Sequence, residues 1–157
     1  MTLHIAQLST PVGWFRAEVT DGAVRTATFA GEASDEHDPF GVRDALDDYF
    51  AGDPFALDRV PVSPRGTEFQ MRVWAALRTI PAGSTCSYRD LAVRVGVPLA
   101  SRAVGRANAT NPVPLFVPCH RVVRADGQLG GFAFGLECKR WLIDHDSRSN
   151  AIAVTNP

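Results

Sequence analysis

Ser87–Ala109, SYRDLAVRVGVPLASRAVGRANA, is the stretch on which the fold turns. Ser87, with Asp90 three residues on, can cap a helix over Tyr88–Val95 that closes at Gly96. Pro98 suits the first turn of a second helix, Leu99–Ala109. This one carries Arg102 and Arg106 four apart on one face, with Ala100, Ala103, Gly105 and Ala107 keeping much of the rest small. Two short helices joined through a glycine turn, the second small and arginine-bearing, have the outline of a helix-turn-helix. An ordinary helical hairpin shares that outline. The small residues favour the former, because a helix that enters a nucleic-acid groove profits from lacking bulk, whereas a core-filling helix would present leucines.

Outward from this pair, Thr67-Glu68-Phe69-Gln70 is a capping box opening a helix with Phe69, Val73, Trp74, Leu77 and Ile80 as its apolar stripe, ended by Pro81-Ala82-Gly83. Phe40–Phe50 spaces Val42, Leu46, Tyr49 and Phe50 as a helical face that stops at Ala51-Gly52-Asp53-Pro54. The first thirty residues hold β-like runs, Leu3–Leu8, Trp14–Val19 and Val24–Phe29, separated by turn signals, and predict a small antiparallel sheet; Gly31 to Pro39 reads as an acidic loop. Downstream, Val122–Arg124 and Gln128–Leu129 flank Asp126-Gly127, a hairpin signal. A last helix, Leu136–Asp146, stacks Cys138, Trp141, Leu142 and His145 on one face with Asp146 beside them. The expected fold is α/β of the α+β kind. Residues 1–60 would form a sheet-and-helix lobe and residues 61–157 a helical lobe with a winged helix-turn-helix-like motif, divided in the proline-marked stretch 55–65.

The net charge of −1 hides a segregation: residues 1–60 hold 4 Arg against 11 Asp or Glu, and residues 61–157 hold 12 basic residues against 6 acids. A basic second half suggests that this part alone meets phosphates, although uneven solvated charge would look the same. Three cysteines with no CxxC pair argue against a disulfide framework and a structural zinc, and point to a reducing cytoplasm. No leader or membrane-length apolar run is legible, so a soluble protein that is not exported is expected. His4 and His37 have no metal-ligand spacing.

Pro118-Cys119-His120-Arg121-Val122 sets a thiol, an imidazole and a guanidinium side by side behind a proline, where an apolar run, Leu115-Phe116-Val117, reads as the end of a buried strand. A free thiol titrates near ~8.5, so reactivity at neutral pH needs a base or a positive environment. His120 reaches Cys119 only if the backbone turns or a water relays the proton, since neighbouring side chains diverge in a strand. Asp146 is the candidate carboxylate to hold the imidazole. Cys86 and Cys138, lacking such neighbours, read as inert.

These motifs, with Ser101-Arg102-Ala103-Val104-Gly105, Asn111-Pro112, Arg65-Gly66-Thr67, Val73-Trp74, Ile80-Pro81, Ser87-Tyr88 and Lys139-Arg140-Trp141-Leu142, closely resemble the O6-alkylguanine-DNA alkyltransferases over nearly the whole chain. The resemblance implies a repair protein that flips O6-alkylguanine, mainly O6-methylguanine, out of duplex DNA and moves the alkyl group irreversibly onto its own cysteine. By position, Cys119 would be the acceptor, His120 its base through a water, Asp146 the acid behind it, and Asn111 the residue fixing the turn into the active loop. Arg102 would fill the vacated stack, and Tyr88 would push the flanking phosphate and help protonate the leaving guanine. Ala103 and Gly105 would face the minor groove, with Ser87 and Arg106 as further DNA contacts. Tyr88, Pro114, Val122, Phe132, Ala133 and Phe134 would line the base pocket. No cofactor or metal is implied, and the expected form is a monomer, with clustering on DNA open.

Two positions depart from the family pattern. Asp146 stands where glutamate is usual, one methylene shorter, so either the last helix lies closer or a water intervenes, and slower transfer is expected. Phe132 stands for the usual tyrosine and Phe134 for the usual glycine, which predicts poor acceptance of large groups such as benzyl. The rival reading is a relative that flips and flags the damaged base without taking the group; such relatives replace the cysteine, which is present here. An unrelated cysteine hydrolase and an alkylation-sensing regulator fit less well, the first for want of an oxyanion hole, the second for want of an effector domain.

Overall fold

The computed structural model describes residues 3–31 and 39–155, so His37 and most of the acidic loop lie outside the described residues. Three strands, β1 (Leu3–Thr10), β2 (Gly13–Thr20) and β3 (Ala23–Thr28), form an antiparallel meander in that order. Alternation along them turns Ala6, Leu8, Phe15, Ala17, Val19 and Val24 into the core. The β2–β3 turn places both Asp21 and Gly22 at positive φ, 54° and 80°, the mirror-image turn that matches strand twist.

Strand β3 ties this sheet to the rest of the chain. Val24 donates its N–H to the Pro61 carbonyl and accepts from Ser63, while the Ala27 N–H donates to Pro112, in the segment leading to Cys119. Helix α1 (Val42–Ala51) buries Val42, Leu46 and Tyr49.

Helix α2 (Glu68–Leu77) has the expected reciprocal cap between Thr67 and Gln70, and Trp74 on its buried face donates Nε1–H to the Ala107 carbonyl. Helix α3 (Tyr88–Val95) is capped by Ser87, whose hydroxyl accepts from the Asp90 N–H, and ends at Gly96 with φ 87°. The next helix, α4 (Ser101–Ala109), starts two residues later than Leu99. The Ala100 N–H is drawn back to the Val97 carbonyl in a turn, which leaves Leu99 fully exposed.

Three further expectations are corrected, on Val113–Val117, on the Asp126-Gly127 turn and on the end of the last helix. Val113–Val117 is a buried turn and no strand, with Leu115 at φ 71° and the Val117 N–H bonded to Val113; prolines 112 and 114 have no N–H to give a ladder. Cys119–Arg121 is one turn of 3₁₀ helix. The Asp126-Gly127 turn forms, closed by Arg124 N–H to the Gln128 carbonyl, but without a hairpin: β5 (Val122–Val123) pairs parallel with β4 (Cys86–Ser87) instead. The Leu129 carbonyl is taken by Lys139, so the return strand has lost an acceptor. Helix α5 runs beyond Asp146, over Leu136–Thr155. One apolar core joins the sheet, α1 and the helices around Cys119. Among the described residues no helix is long and apolar enough to cross a membrane.

Candidate active site

Cys119 opens the 3₁₀ turn and is 7% exposed, on the wall of a pocket of about 370 Å³. Tyr88, Asn111, Pro114, Phe132, Ala133 and Phe134 are among the other residues lining it. Asn111 shapes this wall: its Nδ2 donates to the Val117 carbonyl at 2.8 Å, and its Oδ1 accepts from the Val113 N–H at 3.0 Å. Two main-chain bonds thus set the path of the loop ahead of the thiol. Burial pushes the Cys119 thiol up, opposed by a hydrogen bond from Asn111 and the nearby charge of Lys139. At rest the residue is a thiol, and it needs a base to react.

The candidate base is the next residue in the same turn. His120 is 1% exposed and its Nε2 lies 2.7 Å from Asp146 Oδ2, itself 2% exposed. An ionised carboxylate only accepts, so Nε2 carries the proton and Nδ1 is the bare nitrogen. Nδ1 is buried and has no hydrogen-bond partner among the described residues. Arg121 Nε donates to the same Asp146 oxygen at 2.8 Å, and its Nη1 to the Ile80 carbonyl. Burial pulls Asp146 upward, but His120 and Arg121 outweigh it and hold the carboxyl well below the usual carboxylate range. Burial lowers the His120 pKa despite the pull of Asp146, so at neutral pH the ring is uncharged and able to accept a proton. Of the two ways to accommodate the shorter acid, α5 lies close enough for a direct bond.

The opposite wall is held by Tyr88 and the loop before α5. A Cβ on Gly105 would touch the Tyr88 ring at 3.7 Å, and one on Gly130 would come within 3.0 Å of its hydroxyl, so the small residues let α4 and the loop close on that ring. Gly130 also sits at φ 72°. Lys139, fully buried, donates Nζ to the carbonyls of Leu129 and Gly131 and pins the loop from beneath; burial brings its pKa down to about 8. Phe134 packs edge-on against Phe29, just past the end of β3, ring centres 5.0 Å apart, and against Phe132 at 5.5 Å.

The structure therefore brings Cys119, His120, Asp146, Asn111, Tyr88, Pro114, Phe132, Ala133 and Phe134 together. Arg102 and Arg106 lie exposed on α4 with Ala103 half-buried between them, while Val104, Ala107 and Asn108 face inward. The Ser87 hydroxyl is engaged as the α3 cap. Val122, expected on the pocket wall, is fully buried in β5 and lines no part of the pocket, because its pairing with Cys86 turns it into the core. Sequence reasoning missed Lys139, Asn108 and Tyr49. Asn108 donates to the Cys119 carbonyl at 3.4 Å, and the Tyr49 hydroxyl donates to Asp146 Oδ1 at 2.5 Å. The signal for Lys139 was present: a lysine on the apolar face of a helix, beside Trp141 and Leu142, has to find acceptors.

A pocket-side thiol backed by an imidazole that a carboxylate fixes defines an activated-cysteine protein, here set beside an arginine-bearing helix pair. The family model for the DNA-binding domain of 6-O-methylguanine DNA methyltransferase matches residues 68–148, and the chain belongs to this family. It is 46% identical over 108 residues to the methylated-DNA-protein-cysteine methyltransferase of Shigella flexneri, covering 69% of this chain and 63%, just under two thirds, of that protein. To the protein of the same name from Methanosarcina acetivorans it is 45% identical over 128 residues, 82% of this chain and 76% of that one. Its fold is similar to that of Mycobacterium tuberculosis OGT crystallised in complex with DNA. The TM-score is 0.82 at 39% identity, covering 93% of this chain and 94% of the other.

Proposed function

We propose that this chain is a DNA-repair protein that takes the alkyl group of O6-alkylguanine, chiefly O6-methylguanine, from duplex DNA onto Cys119, once per molecule. The observation that carries the reading is the bare, buried Nδ1 of His120, next in the chain to a cysteine that lines a pocket of about 370 Å³. The Cys119 proton passes to Nδ1, through a water. The thiolate sulfur then attacks the alkyl carbon, the S–C bond forms as the C–O6 bond breaks, and guanine departs with the electron pair and recovers one proton. Tyr88, at the pocket wall, would deliver that proton and be resupplied from His120. Atoms and charge balance with no cofactor, and the thioether has no route back to a thiol.

DNA binding fits the basic second half and the similarity to a protein crystallised with DNA. In this reading Arg102 enters the stack left by the flipped base, a displacement that costs a few kcal/mol and least at a weakened pair. Ala103 and Gly105 approach the minor groove, and Ser87 and Arg106 flank them. Residues 1–60 act as a supporting lobe and residues 61–157 as the lobe that binds and reacts. The protein works as a monomer on DNA, in a reducing compartment such as the cytoplasm.

Intact mass after incubation with duplex DNA carrying one O6-methylguanine tests the proposal. A gain of one methyl group, absent in Cys119→Ser, is expected. Binding of the damaged duplex without any gain would favour the damage-flagging alternative.

A further inference from the structure

We propose that Tyr49 is a positioning residue for alkyl transfer: its hydroxyl locks the Asp146 carboxylate, and through it the His120 ring, so that Nδ1 stays free for the Cys119 proton. The inference rests on the alkyl-transfer reading of the site. Tyr49 lies near the end of α1, outside residues 68–148, far in sequence from the groups it serves.

The carboxylate is fully shared. Oδ2 takes His120 and Arg121, and Oδ1 takes the Tyr49 hydroxyl. The final torsion of an aspartate is broad and nearly two-fold, so with donors on one oxygen alone the group can turn and alter the angle it offers the imidazole. A donor on the other oxygen removes that freedom. Tyr49 is itself doubly fixed. It is 1% exposed, and its carbonyl accepts Nε2–H of His145 at 2.7 Å, one residue before Asp146. The end of α1 therefore grips two successive residues of α5, one through backbone and one through side chain. His145 stacks on Trp141, ring centres 4.8 Å apart, and Phe50 lies 6.0 Å from both rings, so the three rings form one cluster.

The charged and titratable groups around this cluster are Arg121 and His120 from the 3₁₀ turn, Tyr49 from α1, and Lys139 and His145 from α5, with Cys119 and Tyr88 on the pocket side. Removing the phenol leaves more charge on the carboxylate, which favours the imidazolium. The proton acceptor is then lost at a higher pH than in the native chain.

The test uses full-length Tyr49→Phe, with single-turnover methyl transfer followed across about pH 5 to 8 and the His120 ring titrated by NMR over the same range. Loss of a charge-assisted hydrogen bond of this kind predicts transfer slower by about tenfold, with unchanged affinity for the damaged duplex. The acid limb and the His120 titration should both move to higher pH. A chain with 3-fluorotyrosine at position 49 keeps the ring and strengthens the donor, so it should move both to lower pH; it also covers the case in which the phenylalanine variant folds poorly. Native rate, acid limb and His120 titration in both chains would overturn the role of Tyr49. If the native protein gains no methyl group, the alkyl-transfer reading fails, while the His120 titration still decides whether Tyr49 tunes the imidazole.

Discussion

Cys119 has two sides built on different principles. Its pocket side is made of loops and small residues: Asn111, Pro114, Gly131 and the rings of Tyr88, Phe132 and Phe134, partly open to solvent. Its proton side is sealed, with Tyr49, His120, Arg121 and Asp146 from three elements sharing one carboxylate. The open side selects what reaches the sulfur, and the closed side decides whether the sulfur reacts. Substitutions on the two sides should therefore separate substrate preference from rate.

Short of removing the base itself, the largest effect is expected from Asp146→Asn. It leaves buried Arg121 without its anion, which costs about 3–5 kcal/mol of stability, and it removes the acceptor that fixes His120, so transfer should fall by about 100-fold. Thermal unfolding and single-turnover rates check the two parts separately. On the open side, Phe134→Gly removes a ring braced by Phe29 and should speed labelling by O6-benzylguanine by about tenfold while leaving methyl transfer near native. If benzyl and methyl rates change together, the division between the two sides fails. Asp146→Glu, expected from the sequence to speed transfer, should instead slow it by a few-fold, because the direct 2.7 Å pair leaves the extra methylene only space held by Tyr49 and Arg121. A faster glutamate variant would show that the short acid is a handicap after all.

The smallest effect is the pH response. His120 has a folded pKa below its ordinary 6.5, so the unfolded chain binds this proton first as pH falls. Stability and transfer should both hold above about pH 6.5 and decline as pH drops toward the lowered folded value. Asp146, held well below the carboxylate range, adds stability above its ordinary 3.8 that is lost only as pH falls through its lower folded value. Transfer should rise on the alkaline side as the buried thiol ionises. A methyl-transfer rate that increases on acidification would contradict this assignment of the base.

The pocket side was legible in two ways: Pro118–Arg121 carry their chemistry in adjacent residues, whereas Asn111 and Phe132–Phe134 were placed through the resemblance to the family. Also legible were the helix pair, its Ser87 cap and the three-stranded meander, which follow from periodicity and turn residues. The proton side was legible only in part. His120 and Asp146 could be matched, but Tyr49 read as one more apolar position on α1, since period alone does not reveal that a phenol tip meets a carboxylate 97 residues away. Val122 was misplaced for the same reason. A parallel bridge to Cys86 is a long-range pairing, and the Asp126-Gly127 turn signalled a local hairpin that the chain does not use.

The most direct test of the central claim, that the sealed side activates the thiol, is the single-turnover rate of methyl gain by His120→Gln beside the native chain, at equal occupancy of the damaged duplex. The account predicts a loss of about 10² to 10⁴ with DNA affinity retained. Transfer at the native rate would mean that Cys119 needs no base from His120, and that the Tyr49–Asp146–His120 cluster serves stability alone.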